Sequence, residues 1–473
     1  MLLRDLLASA GGQLATAPID RSAAGVDITA VTHDSRQVRR GAMFCCVRGA
    51  RHDGHRFAGD AVRAGAAALL CEHHVATTAP EIVVPDTRLA MAEVAAAFHG
   101  HPSSALQVVG VTGTNGKTTT VHIVASILRA ADVPTTAIGT LTGARTTPES
   151  TDLQALLADA RVRGDRVVAM EVSSHALVQA RVHATSFAAV AFTNLSRDHL
   201  DYHPSMEEYF KAKASLFTAK LSSIAVIDMD GPYGRLLAAT SDVPRIIGTG
   251  ISRVVVLDVG VAQCRFRWRD LDVRLPLGGR FNISNAVLAA ELAVALGVEP
   301  DVVAAGLSQV PPVPGRFEGI DVGQPYTIVV DYAHTPDGLE QLLASAREIA
   351  GDGRVIVVFG CGGNRDVAKR PIMGRVAEEA ADLVAVTSDN PRHEEPDRII
   401  GDILGGMANR PWLAEADRRR AIVAALAVAR PGDIVVIAGK GHETTQEIAG
   451  RVVHFDDREV AAAEATRLLG GRR

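Results

Sequence analysis

The sequence predicts an α/β protein of three domains: a small N-terminal α/β domain, a central doubly wound parallel sheet with a phosphate loop (P-loop), and a C-terminal Rossmann-like domain. Three observations predict it. Short apolar runs alternate with helix-like stretches along the chain, the pattern of parallel sheets with helices on both faces. A chain of 473 residues is too long for one core. One apolar run ends in a glycine-rich turn that leads straight into a helix-like segment.

Taken in order, the strands are VVAMEV at 167–172, AAVAFTN at 188–194, SIAVID at 223–228, VIVVFG at 355–360, LVAVTSDN at 383–390 and IVVIAG at 434–439. Helix-like stretches such as EEYFKAKASLF and ALAVAR separate them. Two boundaries are visible. AFHGHPSSAL near 97–106 precedes the glycine-rich turn, and SQVPPVPGRFE near 308–318 breaks the helical pattern with three prolines. The domains are therefore placed at 1–97, 98–312 and 313–473. Ligands in such sheets bind beyond the carboxyl ends of the strands, where the polar clusters of this chain fall.

Bulk properties narrow the class. Hydrophobic residues make up 47% and charged residues 22%, ordinary values for a soluble globular protein. A net charge of −5 argues against nucleic acid as the main partner. No apolar run reaches the roughly 18 residues that span a bilayer. The opening MLLRDLLASAGG carries an acid and no apolar core of a leader peptide. Five cysteines without metal spacing point to reduced thiols in the cytoplasm, with Cys45 and Cys46 as packing residues.

The glycine-rich turn is GVTGTNGKTTT at 110–120. ALQVVGVT precedes it and HIVASILRAA follows, the strand–loop–helix context of a phosphate cradle. Glycines let backbone N–H groups close around phosphate oxygens at a helix N-terminus. Gly113, Thr114, Asn115, Gly116, Lys117, Thr118 and Thr119 form the loop. Lys117 would reach the terminal phosphates and the Thr118 hydroxyl a magnesium ion. The strict pattern asks for glycine where Val111 stands. A plain glycine turn is the bland alternative.

Further clusters follow strand ends: EVSSHAL at 171–177, TNLSRDHLDYH at 193–203, YFKAKASLF at 209–217 and DYAHTPD at 331–337. Together with the loop they closely resemble the Mur ligase family, ATP-dependent amide-forming enzymes of peptidoglycan synthesis. The resemblance runs through nearly the whole chain. THDSRQVRRGAMF, RHDGHRF, RTTPE, CGGNRDVAKRP, DNPR and AGKGHE narrow it to the branch that extends UDP-N-acetylmuramoyl-L-alanyl-D-glutamate by its third residue.

The resemblance implies a UDP-binding first domain, an ATP-binding central domain and an amino-acid-binding third domain. It implies that ATP converts a carboxylate into an acyl phosphate, which the incoming amine then attacks. Several negative charges meet in that step and call for metals and cations. By the same resemblance Lys117, Glu171, His199 and Lys213 are catalytic. Glu171 and His199 are magnesium ligands with Thr118, and Lys213, rather than Lys211, is a carbamylated ligand. His175 and His203 are read as structural or as residues that support the ligands from behind. Asn282 and Asn285, three apart on one helix face, approach adenine, with helix capping as the alternative for Asn282. Arg316, Asp331, His334 and Lys369 complete the ATP site from the third domain, which must close onto the second.

The UDP end is implied to meet Ser35 and Arg36 and the HDGH run at 52–55, which is otherwise a plain polar turn, and the muramoyl dipeptide Thr146, Thr147, Ser173, Gln179, Arg181 and Lys213. DNPR supplies Asp389, Asn390, Pro391 and Arg392 to meso-diaminopimelate, with Arg365, Gly439 and Glu443 carried over by motif. A guanidinium suits the distal carboxylate that L-lysine lacks. An L-lysine-adding ligase, a folate-type polyglutamate synthase and a scaffold that kept the loop are the alternatives. HDSR and DGH argue against the folate reading, and the intact Lys117, Glu171, His199 and Lys213 against the scaffold. Asn364 and Ala368 depart from the family's usual aspartate and glycine, and FCCV at 44–47 is unusual; a shifted amino-acid preference stays open. The chain is expected to act as a cytoplasmic monomer.

Overall fold

The computed structural model describes residues 1–12, 14–15, 23–49 and 52–470. Arg51, which opens the RHDGHRF run, lies outside them. Three sheets, wholly or mainly parallel, follow one another along the chain. The first holds Ala30–Thr32, Ala42–Cys45, Ala68–Cys71 and Glu81–Val83, side by side in sequence order. Its core is small and takes in the buried cysteines: Cys45 on one face, Cys46 and Cys71 on the other. Burial pushes the Cys71 thiol up to about 11, as for an inert packing thiol. All five cysteines are buried and free.

The central sheet has six parallel strands. Their spatial order is Arg245–Thr249, Ile224–Asp228, Ala189–Phe192, Gln107–Thr112, Val167–Glu171 and Thr135–Ile138. From the interior strand Gln107–Thr112 the chain runs to the edge strand Thr135–Ile138, returns to Val167–Glu171 and then crosses to Ala189–Phe192 on the other side, so the crevice at the carboxyl end of Gln107–Thr112 is a topological switch point. The glycine loop fills this crevice. Val111 belongs to the strand itself and is fully buried, so the loop begins only at Gly113. A Cβ at Gly113 would overlap Thr193 Oγ1, and one at Gly116, where φ is +85°, would overlap Asn285 Oδ1. Both close approaches need glycine.

Helix Lys117–Ala130 leaves the loop and packs against helices Arg280–Ala295 and Pro300–Leu307. Ile123, Val124 and Ile127 meet Ala286, Ala289, Ala290 and Ala293 in a shared core. The run of alanines on Arg280–Ala295 lets the two helices pack along their length. A three-stranded antiparallel sheet, Val255–Val259, Cys264–Trp268 and Leu271–Leu275, adds one apolar face to the same core. It was not expected from the sequence.

The last large sheet orders as Glu318–Gly319, Thr327–Asp331, Ile434–Ala438, Val355–Phe359, Leu383–Thr387 and Leu413–Glu415. Its first strand is antiparallel and the others are parallel. The hairpin Thr445–Ile448 with Arg451–His454 stands apart. Among the described residues no helix is long and apolar enough to cross a membrane.

The core under the loop makes a direct prediction. Ile123→Ala should cost about 2–5 kcal/mol, read as a lowered denaturation midpoint; an unchanged midpoint would mean that this helix face does not carry the central unit.

Candidate active site

The loop brings two lysines to one oxygen. Lys117 Nζ donates to the carbonyls of Gly113 at 2.9 Å and Thr114 at 2.8 Å. Lys213, on helix Met206–Ala214, donates to the same Gly113 carbonyl at 2.7 Å. Its side chain is fully buried, with Nζ 4.7 Å from the centre of the Tyr209 ring. Burial, reinforced by the charge of Lys117, holds the Lys213 amine well below the usual lysine range. Burial also lowers Lys117.

Glu171 ends its strand beside the loop and is buried. One carboxylate oxygen accepts from Thr118 Oγ1 at 3.0 Å, and the other from the Thr140 N–H at 2.7 Å. Arg316 Nη2 donates to that Thr118 hydroxyl at 3.1 Å while its guanidinium lies 4.4 Å from the centre of the Tyr332 ring. A residue just ahead of the last large sheet thus reaches the loop.

His199 sits at a left-handed turn, φ +55°, beside Asp198. Burial drives its pKa down to about 3, so the ring is neutral and can offer a nitrogen lone pair. His175 stacks on Tyr202 with ring centres 4.0 Å apart, and burial lowers it to about 4. His203 Nε2 lies 2.9 Å from Ser174 Oγ. Both histidines thus stand beside His199 and are held there by Tyr202 and Ser174. Asp198 faces three partners: His199 Nε2 at 3.4 Å, His334 Nε2 at 3.8 Å and Lys369 Nζ at 4.0 Å.

One cavity of about 180 Å³ collects Lys117, Thr118, Thr146, Glu171, Ser173, His199, Asn285, Arg316, Asp331 and His334 among its lining. A second, of about 530 Å³, shares Asn115, Gly116, Phe281, Asn285 and Gln341 with it and runs on to Asp228–Tyr233 and Ser345. The pair offers a small polar chamber over the loop and a larger one beside it. Asn282 lines neither; its amide donates to Gly278 O at 2.7 Å while its oxygen accepts from Asn285 at 3.0 Å. It therefore holds Asn285 in place. Asp331 is fully engaged by the N–H groups of Phe317 and Ala333, both at 2.7 Å.

The donor set fits a magnesium ion. Glu171 and Thr118 are hard oxygen donors facing the chamber, and this ion is commonly held by one or two carboxylates with substrate phosphates and water. Among the described residues no three His, Cys, Asp or Glu side chains converge on one point, so the protein alone is no closed cage.

On the first sheet's side, Arg36 is exposed and paired with Asp34 at 2.7 Å, next to Ser35 in a short helical turn. Thr147 is buried; its hydroxyl donates to Glu171 O at 2.9 Å and accepts from the Ser173 N–H at 3.0 Å. Arg181 donates to Thr147 O at 2.9 Å and Gln179 Oε1 at 2.7 Å. The buried Glu149 gathers Arg88, Arg145 and Arg181. In the last unit Asn390 Nδ2 donates to Glu443 Oε2 at 2.7 Å, and Arg392 Nη1 donates to Gly363 O at 2.7 Å. Arg392 also lies 3.7 Å from Glu447. Gly439 takes φ +118° against Asp389. Arg365 is exposed.

Comparison with known proteins decides what this arrangement belongs to. Three family profiles match in sequence: "Mur ligase family, catalytic domain" at residues 27–99, "Mur ligase middle domain" at 111–293, and "Mur ligase, glutamate ligase domain" at 315–441. The UDP-N-acetylmuramoyl-L-alanyl-D-glutamate–2,6-diaminopimelate ligase of Streptomyces coelicolor is 44% identical, covering 96% of this chain and 95% of that protein.

The chain belongs to the Mur ligase family.

The ligase of the same name from Syntrophomonas wolfei is 41% identical over 98% of each chain. A solved structure of such a diaminopimelate ligase aligns with a TM-score of 0.67 at 31% identity, over 99% of both chains. MurF of Acinetobacter baumannii, at 19% identity and TM-score 0.70, shares the fold.

Sequence reading of this Mur ligase missed Thr140, Asp198, Tyr209 and Glu149 as parts of the site. Asp198 and Glu149 stand inside motifs already singled out, so their acidity was the available signal. Thr140 follows a short edge strand and carries none.

The half-buried histidines set an acid limit. His175 binds a proton in the unfolded chain below about pH 6.5, but in the folded chain only below about 4. Stability should fall as pH drops through that window and be fully present above it. Thermal midpoints from pH 7 to 4 should decline less steeply in His175→Gln than in the wild type; equal slopes would remove His175 from this effect.

Proposed function

We propose that this chain is the ATP-dependent amide ligase that adds meso-diaminopimelate to UDP-N-acetylmuramoyl-L-alanyl-D-glutamate in peptidoglycan synthesis. One observation carries the reading: Lys117, Glu171 and His199 of the central unit share a chamber with Arg316 and His334 of the C-terminal unit. Cations, a carboxylate and a neutral imidazole meet where the strands end. This is the equipment for joining two anions, a nucleotide phosphate and a substrate carboxylate. Relatives above 40% identity over nearly the full chain bear the corresponding name.

In this reading the loop residues 113–119 bind the ATP phosphates, and Asn285 meets the base in the adjoining chamber, held by Asn282. Lys117 and Arg316 lower the charge around the γ-phosphoryl group as the substrate carboxylate attacks it. Thr118 and Glu171, with His199, hold magnesium, which supplies charge neutralisation at the phosphates when bound. Lys213 carries a carbamate: burial beside Lys117 favours the uncharged amine, the form that adds carbon dioxide and loses a proton. The product is an anion with two oxygens in place of an ammonium. Lys369 acts through Asp198, and Asp331 orders the chain around Arg316.

Ser35 and Arg36 receive the UDP end. Thr146 and Ser173 face the dipeptide, while Thr147 and Gln179 orient Ser173 and Arg181. Asp389, Asn390, Pro391, Arg392, Arg365, Gly439 and Glu443 form the diaminopimelate pocket, where Arg392 recognises the distal carboxylate and Glu443 an ammonium. Action in the cytoplasm as a monomer belongs to the same proposal, as do the domain limits at 97–98 and 312–313.

Phosphate release with the UDP-muramoyl dipeptide, ATP and either amino acid tests this. Turnover should require diaminopimelate; equal or faster turnover with L-lysine would sink the role of Arg392, and none with any amino acid would sink the ligase reading. Lys213→Ala should lose activity by at least about 10²-fold, the scale of a lost charged group at such a site, and regain part of it with short carboxylic acids. Near-normal activity of the variant would remove the carbamate.

A further inference from the structure

The ion pair between Arg418 and Asp457 is fully buried and lies beneath the proposed amino-acid pocket. Arg418 opens helix Arg418–Val428 and Asp457 opens helix Asp457–Gly470. Arg418 Nε and Nη2 donate to the two carboxylate oxygens, each at 2.7 Å. The same guanidinium also binds main chain: Nη1 donates to Ser388 O at 3.1 Å and Nη2 to Ala438 O at 2.9 Å. Ser388 immediately precedes DNPR, and Ala438 immediately precedes GKGHE. The strands they follow are not neighbours, since Val355–Phe359 lies between them.

One rigid fork therefore ties together the two loops assigned to the amino acid. A lysine has no such planar arrangement of donors. A buried ion pair is commonly no more stabilising than well-packed apolar side chains, so stability alone gives little reason for this one. Its distinguishing product is geometry: the spacing between segment 389–392 and segment 439–443. Asn390 and Glu443 meet across that gap at 2.7 Å.

We propose that Arg418 and Asp457 are positioning residues for the incoming amino acid, fixing the distance between Arg392 and Glu443. The inference rests on the diaminopimelate reading. A substrate with two amino-acid heads demands two recognition groups at a set separation, and a displacement of about 1 Å can cost up to about 10²-fold in rate.

The test is steady-state kinetics of the full chain with all three substrates, for Arg418→Lys and for the paired change Arg418→Met with Asp457→Leu. The pair removes both charges while keeping apolar volume, so it should fold with a thermal midpoint near the wild type. In both variants the KM for diaminopimelate should rise roughly tenfold or more. The KM for ATP and for the UDP-muramoyl dipeptide should stay within about twofold, and the preference over L-lysine should narrow. A purely structural pair would shift all three KM values together or the thermal midpoint alone, and either result overturns the proposal. So does failure of both variants to fold, because the pair would then have no role separable from stability. Wild-type turnover is measured first: its absence with diaminopimelate removes the underlying reading and this inference with it. An active variant with unchanged KM removes the inference alone.

Discussion

The site depends on two buried lysine amines sharing one carbonyl oxygen. Lys117 and Lys213 both donate to Gly113 O, within 2.9 Å. Two full charges this close, away from water, would repel strongly, and burial beside Lys117 holds the Lys213 amine well below the usual lysine range. Glu171 and Asp198 oppose the charge of Lys117, and Asp198 opposes that of Lys213. Such a site is built to receive anions or to change the charge of one lysine, and the proposed chemistry uses both routes. Gly113 itself is required because a side chain there would overlap Thr193.

The surrounding structure holds that arrangement from two units of the chain. Arg316 reaches Thr118, Asn115 reaches Asp337 at 3.0 Å, and His334 and Lys369 approach Asp198. These contacts are polar and cross between the central and C-terminal sheets. Phe281 packs on Phe317 beside them, so the contact is mixed, and its polar part suits units that must part to admit substrate and close again.

Much of this was legible in the chain. The continuous apolar runs mark strands covered on both faces, and VIVVFG and IVVIAG became Val355–Phe359 and Ile434–Ala438. Thr135–Ile138 escaped notice because an edge strand reading TTAI is too short and polar to stand out. The strands 255–275 escaped because CRFRW alternates buried and exposed residues instead of running apolar. The strict loop pattern asks for glycine where Val111 stands; Val111 is a buried strand residue, and the loop starts two positions later. In the site, motif order pointed to Lys117, Glu171 and Lys213, whereas Asn282, behind Asn285, and Arg418, beneath the amino-acid loops, depend on tertiary neighbours that no local pattern contains.

The central claim is that the loop's cations act where a phosphoryl group passes to a substrate carboxylate. It is tested most directly by following oxygen. With the acceptor carboxylate of the UDP-muramoyl dipeptide labelled with oxygen-18, an acyl phosphate must leave one labelled oxygen in each phosphate released, which mass spectrometry of that phosphate detects. Label in the phosphate, one atom per turnover, is the result predicted here. Unlabelled phosphate accompanying full product formation would contradict the account.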